Sequence, residues 1–281
     1  MTSAGKIGVV LATIILSVAI YFFGDFKGKG KAKEEVSSES SHNTTFDYQL
    51  YKETQMQSLE PAKRQTVEQM EKALAKAQSE EEKIAALNQL IAESEQLKMD
   101  LVATMYSKDI AELKHNADVW DKTGTYFMGL YYNTPEVPEM QQFKLQQARE
   151  CFTKATGLDT ANLDYQVRLG VTFMEDQEQT MQGVQLLLGV VEKEPNHVSA
   201  NMYLGRFGIV SGQFDKAVAR LSTVLGVDST NIEAYILMAD AYTGLGDKEK
   251  AIEYLERVKA LLDDPEFIKN VDAYIEKIKN S

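Results

Sequence analysis

Residues 234–258 read AYILMADAYTGLGDKEKAIEYLERV, and the order of large and small side chains in this stretch decides the fold. Tyr235, Met238 and Tyr242 share one side of a first helix, and Ala251, Leu255 and Val258 share one side of a second. Both sets have the 3-4 spacing of an amphipathic helix. Gly246 lies between them, in a turn of the kind where a positive φ is often needed. The same order recurs 34 residues upstream without a gap: Leu204-Gly205 corresponds to Met238-Ala239, Gly212 to Gly246, Ala217 to Ala251, Leu221 to Leu255 and Val224 to Val258. The small residues at Gly205/Ala239 and Ala217/Ala251 let the two helices of each unit approach closely. Exact recurrence at a fixed period is the signature of a stacked helical repeat.

On these residues the chain resembles the tetratricopeptide-repeat (TPR) family, whose large, large-small, aromatic, turn glycine, small, large, small order it follows. Looser units lie further out. Leu169-Gly170 and Phe173, then Gly183, Leu187, Val190 and Pro195, make a unit over 164–197 with one extra residue in a glycine-free turn at 175–180. Trp120, Gly124 and Phe127 open another that Ala148, Phe152 and Ala155 close, across a longer turn carrying Tyr131, Tyr132, Pro135 and Pro138. After Pro265, the residues Phe267, Val271, Tyr274 and Ile278 recur at helical spacing, as in the capping helix a repeat stack needs to keep its last apolar face from water. The expected fold is therefore all-α. It consists of a TPR-type solenoid of about four repeats (117–160, 164–197, 198–231, 232–265) and a cap (266–281), preceded by a helical region and a single transmembrane helix.

That helical region spans 46–116 and does not match the repeat order. Pro61 suits a first helical turn, Val67, Met70 and Leu74 form one stripe, and Ser79 to Glu82 resembles a capping box ahead of Ile84, Leu87, Leu90, Ile91, Leu97 and Leu101. Degenerate repeat helices and a coiled-coil arm both fit, the second implying self-association through 62–105. Before it, a lysine-bearing and then Ser/Glu-rich stretch over 27–45 has the composition of a disordered linker. Residues 7–23 are uncharged and mostly apolar, and at about 1.5 Å per residue they just span a bilayer core. The expectation drawn from them is a single-pass protein of a bacterial inner membrane. Ser17-Val18-Ala19 leaves a cleaved signal segment open. A periplasmic body is favoured, while the four lysines behind the segment, against Lys6 before it, argue for a cytosolic one.

Composition excludes several functions. The net charge is −12, and five of the lysines lie before residue 34, so the rest is strongly acidic. An acidic body without a basic stripe is a poor partner for phosphate backbones, and nucleic acid is not expected. Cys151 is the single cysteine, which rules out an internal disulfide; beside Phe152 it reads as a buried apolar thiol. His42, His115 and His197 are scattered without ligand partners at helical spacing, so no metal is expected. No nucleophile–base pair or phosphate loop is present. Neither an enzyme nor a cofactor site is expected.

What remains is binding. The resemblance implies a concave groove lined by the first helix of each repeat, receiving protein or peptide segments. Placed on that pattern, the groove takes Asp121, Thr125 and Met128; Val167, Val171 and Met174; Met202, Arg206 and Ile209; and Ile236, Asp240 and Thr243. Methionine adapts to varied apolar side chains. The expected function is an anchored scaffold or adaptor in envelope protein assembly or biogenesis, or alternatively a holdase for unfolded segments.

Overall fold

The computed structural model describes residues 46–133 and 136–281, and among these every regular element is an α-helix. In chain order they are α1 (Tyr48–Ser58), α2 (Pro61–Lys76), α3 (Glu80–Gln96), α4 (Asp100–Lys114), α5 (Ala117–Asn133), α6 (Pro138–Leu158) and α7 (Leu163–Met174). There follow α8 (Thr180–Lys193), α9 (Val198–Val210), α10 (Phe214–Val227), α11 (Ile232–Gly244), α12 (Lys248–Leu261) and α13 (Pro265–Asn280). Short connections make consecutive helices antiparallel neighbours. The hairpins α3/α4, α5/α6, α7/α8, α9/α10 and α11/α12 stack in order, and α13 packs on α12.

Local signals fix where each helix starts. Asn162, Asn231, Asp247 and Asp264 accept backbone N–H bonds as N-caps of α7, α11, α12 and α13, each such cap being worth about 1 kcal/mol. Ser79 and Glu82 form the reciprocal capping box of α3. The turn glycines Gly212 and Gly246 sit at φ 71° and 78°. The turn before α8, which has no glycine, is organised by Asp176. Its carboxylate accepts bonds from Arg149 of α6, from the Glu178 N–H and from Gln179. Burial pushes that carboxyl up, but the three donors outweigh it and hold it below the usual range.

The core runs along the seam between paired helices. Phe127, Leu145, Phe152, Leu187, Leu221, Met238 and Leu255 are almost fully buried. The closest approach is between α7 and α8, where a Cβ on Gly183 would stand 2.3 Å from the Gly170 carbonyl oxygen. The expected long turn between α5 and α6 is instead mostly helix: α5 runs to Asn133, and α6 opens at Pro138 and continues for 21 residues.

Residues of the 46–116 region join the same stack. Val67, Leu87, Leu90, Met99, Val102 and Tyr106 form their own buried cluster. Helix α1 ties it down: Lys52 pairs with Glu71 at 2.5 Å, Glu71 accepts from the Tyr106 hydroxyl at 2.6 Å, and Phe46 and Tyr48 pack on Phe143 of α6.

The expected fold class needs one correction. Among the described residues no helix is long and apolar enough to cross a membrane. The longest, α6, carries Glu139, Lys144, Arg149, Glu150 and Lys154 along its length, so its apolar residues form one stripe for the core. The transmembrane helix expected at 7–23 lies outside the described residues. The expected single-pass localisation, with a periplasmic or a cytosolic body, finds no support in any described helix.

Candidate functional site

The expected groove residues separate into three groups. Met128, Val167 and Val171 are buried, at 8%, 2% and 5% exposure, as part of the core that joins α5, α7 and α9. Met174, Met202, Ile209 and Ile236 are half-buried, and Arg206 and Thr125 are exposed. Asp240 is buried at 8% exposure, and the hydroxyl of Tyr274 in α13 donates to it at 2.6 Å. Burial pushes the Asp240 carboxyl up to about 6 despite that bond. Its neighbour on the same helix, Thr243, is half-buried.

Polar bridges link the first helices of successive hairpins. Arg168 of α7 donates to Asp121 of α5 at 2.8 Å. Burial raises the Asp121 carboxyl, Arg168 opposes the rise, and Asp118 and Asp164 add to it. Tyr165 donates to Asp118 along the same seam. Arg206 of α9 pairs with Glu233 of α11. The side chains of Arg168 and Arg206 are 42% and 49% exposed, so each guanidinium is oriented by an acid while part of it still faces water.

Tyr203 lies under the Arg206 guanidinium, which stands 5.8 Å from its ring centroid. Burial raises its hydroxyl, and the charges of Arg206, Glu233, Glu175 and Arg168 act on it. Tyr132 of α5 donates to Glu175, the C-cap of α7, at 2.7 Å. Five residues absent from the expected set, Tyr132, Arg168, Glu175, Tyr203 and Glu233, take part in these contacts. Their positions carry no repeat signature. The available signal was the spacing of opposite charges, 47 residues from Asp121 to Arg168 and 27 from Arg206 to Glu233, which only the stack brings together.

The remaining titratable candidates are structural. Cys151 is fully buried and burial pushes its thiol up to about 12. His197 caps α9, its Nδ1 accepting the Ala200 N–H at 3.4 Å, with Nε2 3.5 Å from Asp164. Among the described residues no group of three or more His, Cys, Asp or Glu is placed to hold a metal ion.

Helix order and pairing together define a helical-hairpin solenoid. Residues 209–268 match the family model described as Tetratricopeptide repeat. A solved tetratricopeptide repeat protein from Parabacteroides merdae ATCC 43184 is similar at 12% identity and TM-score 0.55, over 83% of this chain and 84% of that one. YrrB, described as a TPR protein with an unusual peptide-binding site, is similar at 18% identity and TM-score 0.44, over 67% of this chain and 91% of its own. MamA from Desulfovibrio magneticus RS-1 is similar at 17% identity and TM-score 0.47, over 62% and 92%. At these identities the likeness concerns the fold alone. No curated protein matches the chain.

Proposed function

We propose that the protein is a non-enzymatic scaffold that binds partner proteins or peptide segments along the first helices of its repeats. What supports this reading is that Met202 and Ile209 on α9 and Ile236 on α11, at groove positions of successive repeats, are half-buried, and that Arg168 and Arg206 on first helices are half-exposed. An apolar strip beside oriented guanidinium groups offers both buried area and directional hydrogen bonds, the combination that characterises interface hot spots. Met128, Val167 and Val171 act in this reading as the support beneath the strip, and Asp240 as its closed C-terminal edge.

The test is affinity capture with the full chain. Met202→Asp with Ile209→Asp should leave helical content unchanged and release bound partners; retention of every partner would remove the strip from the interface. The adaptable methionines Met174 and Met202 favour a second reading, a holdase for unfolded segments. A holdase suppresses aggregation of unrelated denatured proteins, and a selective adaptor does not.

A further inference from the structure

A pocket of about 460 Å³ opens where the second helices α4 and α6 end. It is lined by Glu112 of α4 and its C-cap His115, by Trp120 of α5, and by Glu150, Lys154 and Leu158 of α6. None of the expected groove residues lines it. Its volume falls in the range of small-molecule sites, about 300–1,000 Å³.

Trp120 is 3% exposed, yet among the described residues its indole N–H meets no acceptor. A buried tryptophan usually has a partner for that group. The N–H is not sealed in the core either: the sealed unpartnered atoms are Ser94 Oγ, Gln141 Oε1, Arg149 Nε and Thr156 Oγ1. Its way out is the pocket that Trp120 lines. The fold therefore holds one donor, without an acceptor, at the wall of a small cavity.

The charges around that donor are of both signs. Glu112 and Lys154 are exposed, and neither forms a salt bridge among the described residues. Glu150 is 43% exposed and takes the Lys108 ammonium on Oε2 at 2.7 Å. Besides the burial that raises it, the Cys151 thiol feels the charges of Lys108, Glu150 and Glu112, so carboxylates from two different helices stand close together. The carbonyl ends of α4 and α6 add partial negative charge. His115 takes the left-handed conformation at φ 45°. Glycine would adopt it with less strain but would bring no side chain to the pocket. The imidazole can donate a hydrogen bond in either protonation state.

We propose that this pocket binds a small zwitterion of dipeptide size, its ammonium held by Glu112 and Glu150 and its carboxylate by the Trp120 N–H, Lys154 and His115. A lone carboxylate would face two acids and two helix C-termini. A lone ammonium would face Lys154 and leave the Trp120 N–H unmet. A molecule with both charges answers each group in turn. Leu158, 51% exposed at the rim, adds apolar area for an aliphatic side chain. The site adds a ligand class to the protein-binding reading and does not rest on it.

Trp120 is the single tryptophan of the chain, so its fluorescence reports this pocket alone. Leucyl-leucine titrated into the full chain should shift the emission saturably, with the same affinity by calorimetry. N-acetyl-leucyl-leucine lacks the ammonium and leucyl-leucine amide lacks the carboxylate; each should bind about ten-fold more weakly. Glu112→Gln should remove most of the preference over the acetylated probe, and Lys154→Gln most of the preference over the amide. Both side chains are exposed, and circular dichroism checks that both variants fold. Trp120→Phe, read by calorimetry, should weaken leucyl-leucine more than its amide. No saturable change, equal affinities for the three probes, or preferences that survive both exposed substitutions overturn the proposal. Tighter binding of the acetylated probe (an anion site) or of the amide (a cation site) also overturns it. Met202→Asp with Ile209→Asp should leave the titration unchanged, so this pocket and the partner-binding reading stand or fall separately.

Discussion

The hydroxyl of Tyr274, in the last helix, donates to the buried carboxylate of Asp240 two helices earlier, at 2.6 Å. The bond reaches across α12 and pins α13 to the first helix of the preceding hairpin. It also leaves a carboxylate where water is excluded, and stability at the C-terminal end becomes dependent on pH. The folded-state carboxyl lies at about 6, above an unfolded value of about 3.9. Its stabilising contribution is therefore fully present below about pH 4 and is lost as pH rises through 6. Asp240→Asn, which keeps an acceptor for Tyr274, should be more stable than the wild type by about 2–3 kcal/mol at pH 7.5. That advantage should shrink to near zero at pH 4. Urea denaturation of both proteins at the two pH values checks it, and a constant difference refutes it.

Two helix glycines should respond in opposite ways. Gly183→Ala drives a methyl group into the Gly170 carbonyl oxygen and should cost about 2 kcal/mol or more, because the obstacle is backbone. Gly189, on the same helix, has nothing within 4 Å of its missing Cβ, so Gly189→Ala should stabilise by about 0.5–1 kcal/mol. Urea midpoints of the two variants give the comparison.

A different penalty applies in the repeat turns. Gly246 has open space around it but a φ of 78°, so Gly246→Ala should lose about 1 kcal/mol through backbone strain alone. Gly246→Asn should lose less, since asparagine tolerates the left-handed region. If the two variants melt together, strain at this turn is not what glycine relieves.

Cys151 is fully buried and its thiol is pushed up to about 12. In the native protein it should resist a water-soluble thiol reagent at pH 8, and it should react within the dead time in 8 M urea. Modification rates at intermediate urea should follow opening of the α5/α6 hairpin. Rapid labelling without denaturant would contradict the burial.

The sequence made the C-terminal hairpins legible because there the physical demands of the fold fall on residue types that announce them. Positive φ needs Gly212 and Gly246, and close helix contacts need Gly205, Ala217, Ala239 and Ala251. In the 46–116 region the same geometry is met by residues that announce nothing: Lys98 and His115 take the left-handed conformation at φ 60° and 45°, where glycine would have marked a helix end. The burial of the expected groove residues was half legible for a related reason. A repeat register gives the direction in which Val167 and Val171 project, but not how closely α5 and α9 cover them. Nor does it pair Asp121 with Arg168, since that contact depends on the tilt between hairpins. The transmembrane reading drew on residues 7–23, and nothing in the described helices supports it.

The cap also sets how the molecule can change in size. α13 turns Phe267, Val271, Ile275 and Ile278 inward and leaves Glu266, Lys269, Asp272, Glu276 and Lys277 outside, so its outer face is charged where the hairpins before it present apolar faces. Because each hairpin mainly meets its sequence neighbours, a duplicate of residues 231–264, which carries the N-cap Asn231, spliced ahead of Pro265 would find a matching face on either side. Such a chain would be longer by one module yet end in the same way, which makes the length of this protein an adjustable quantity and its terminus a fixed one.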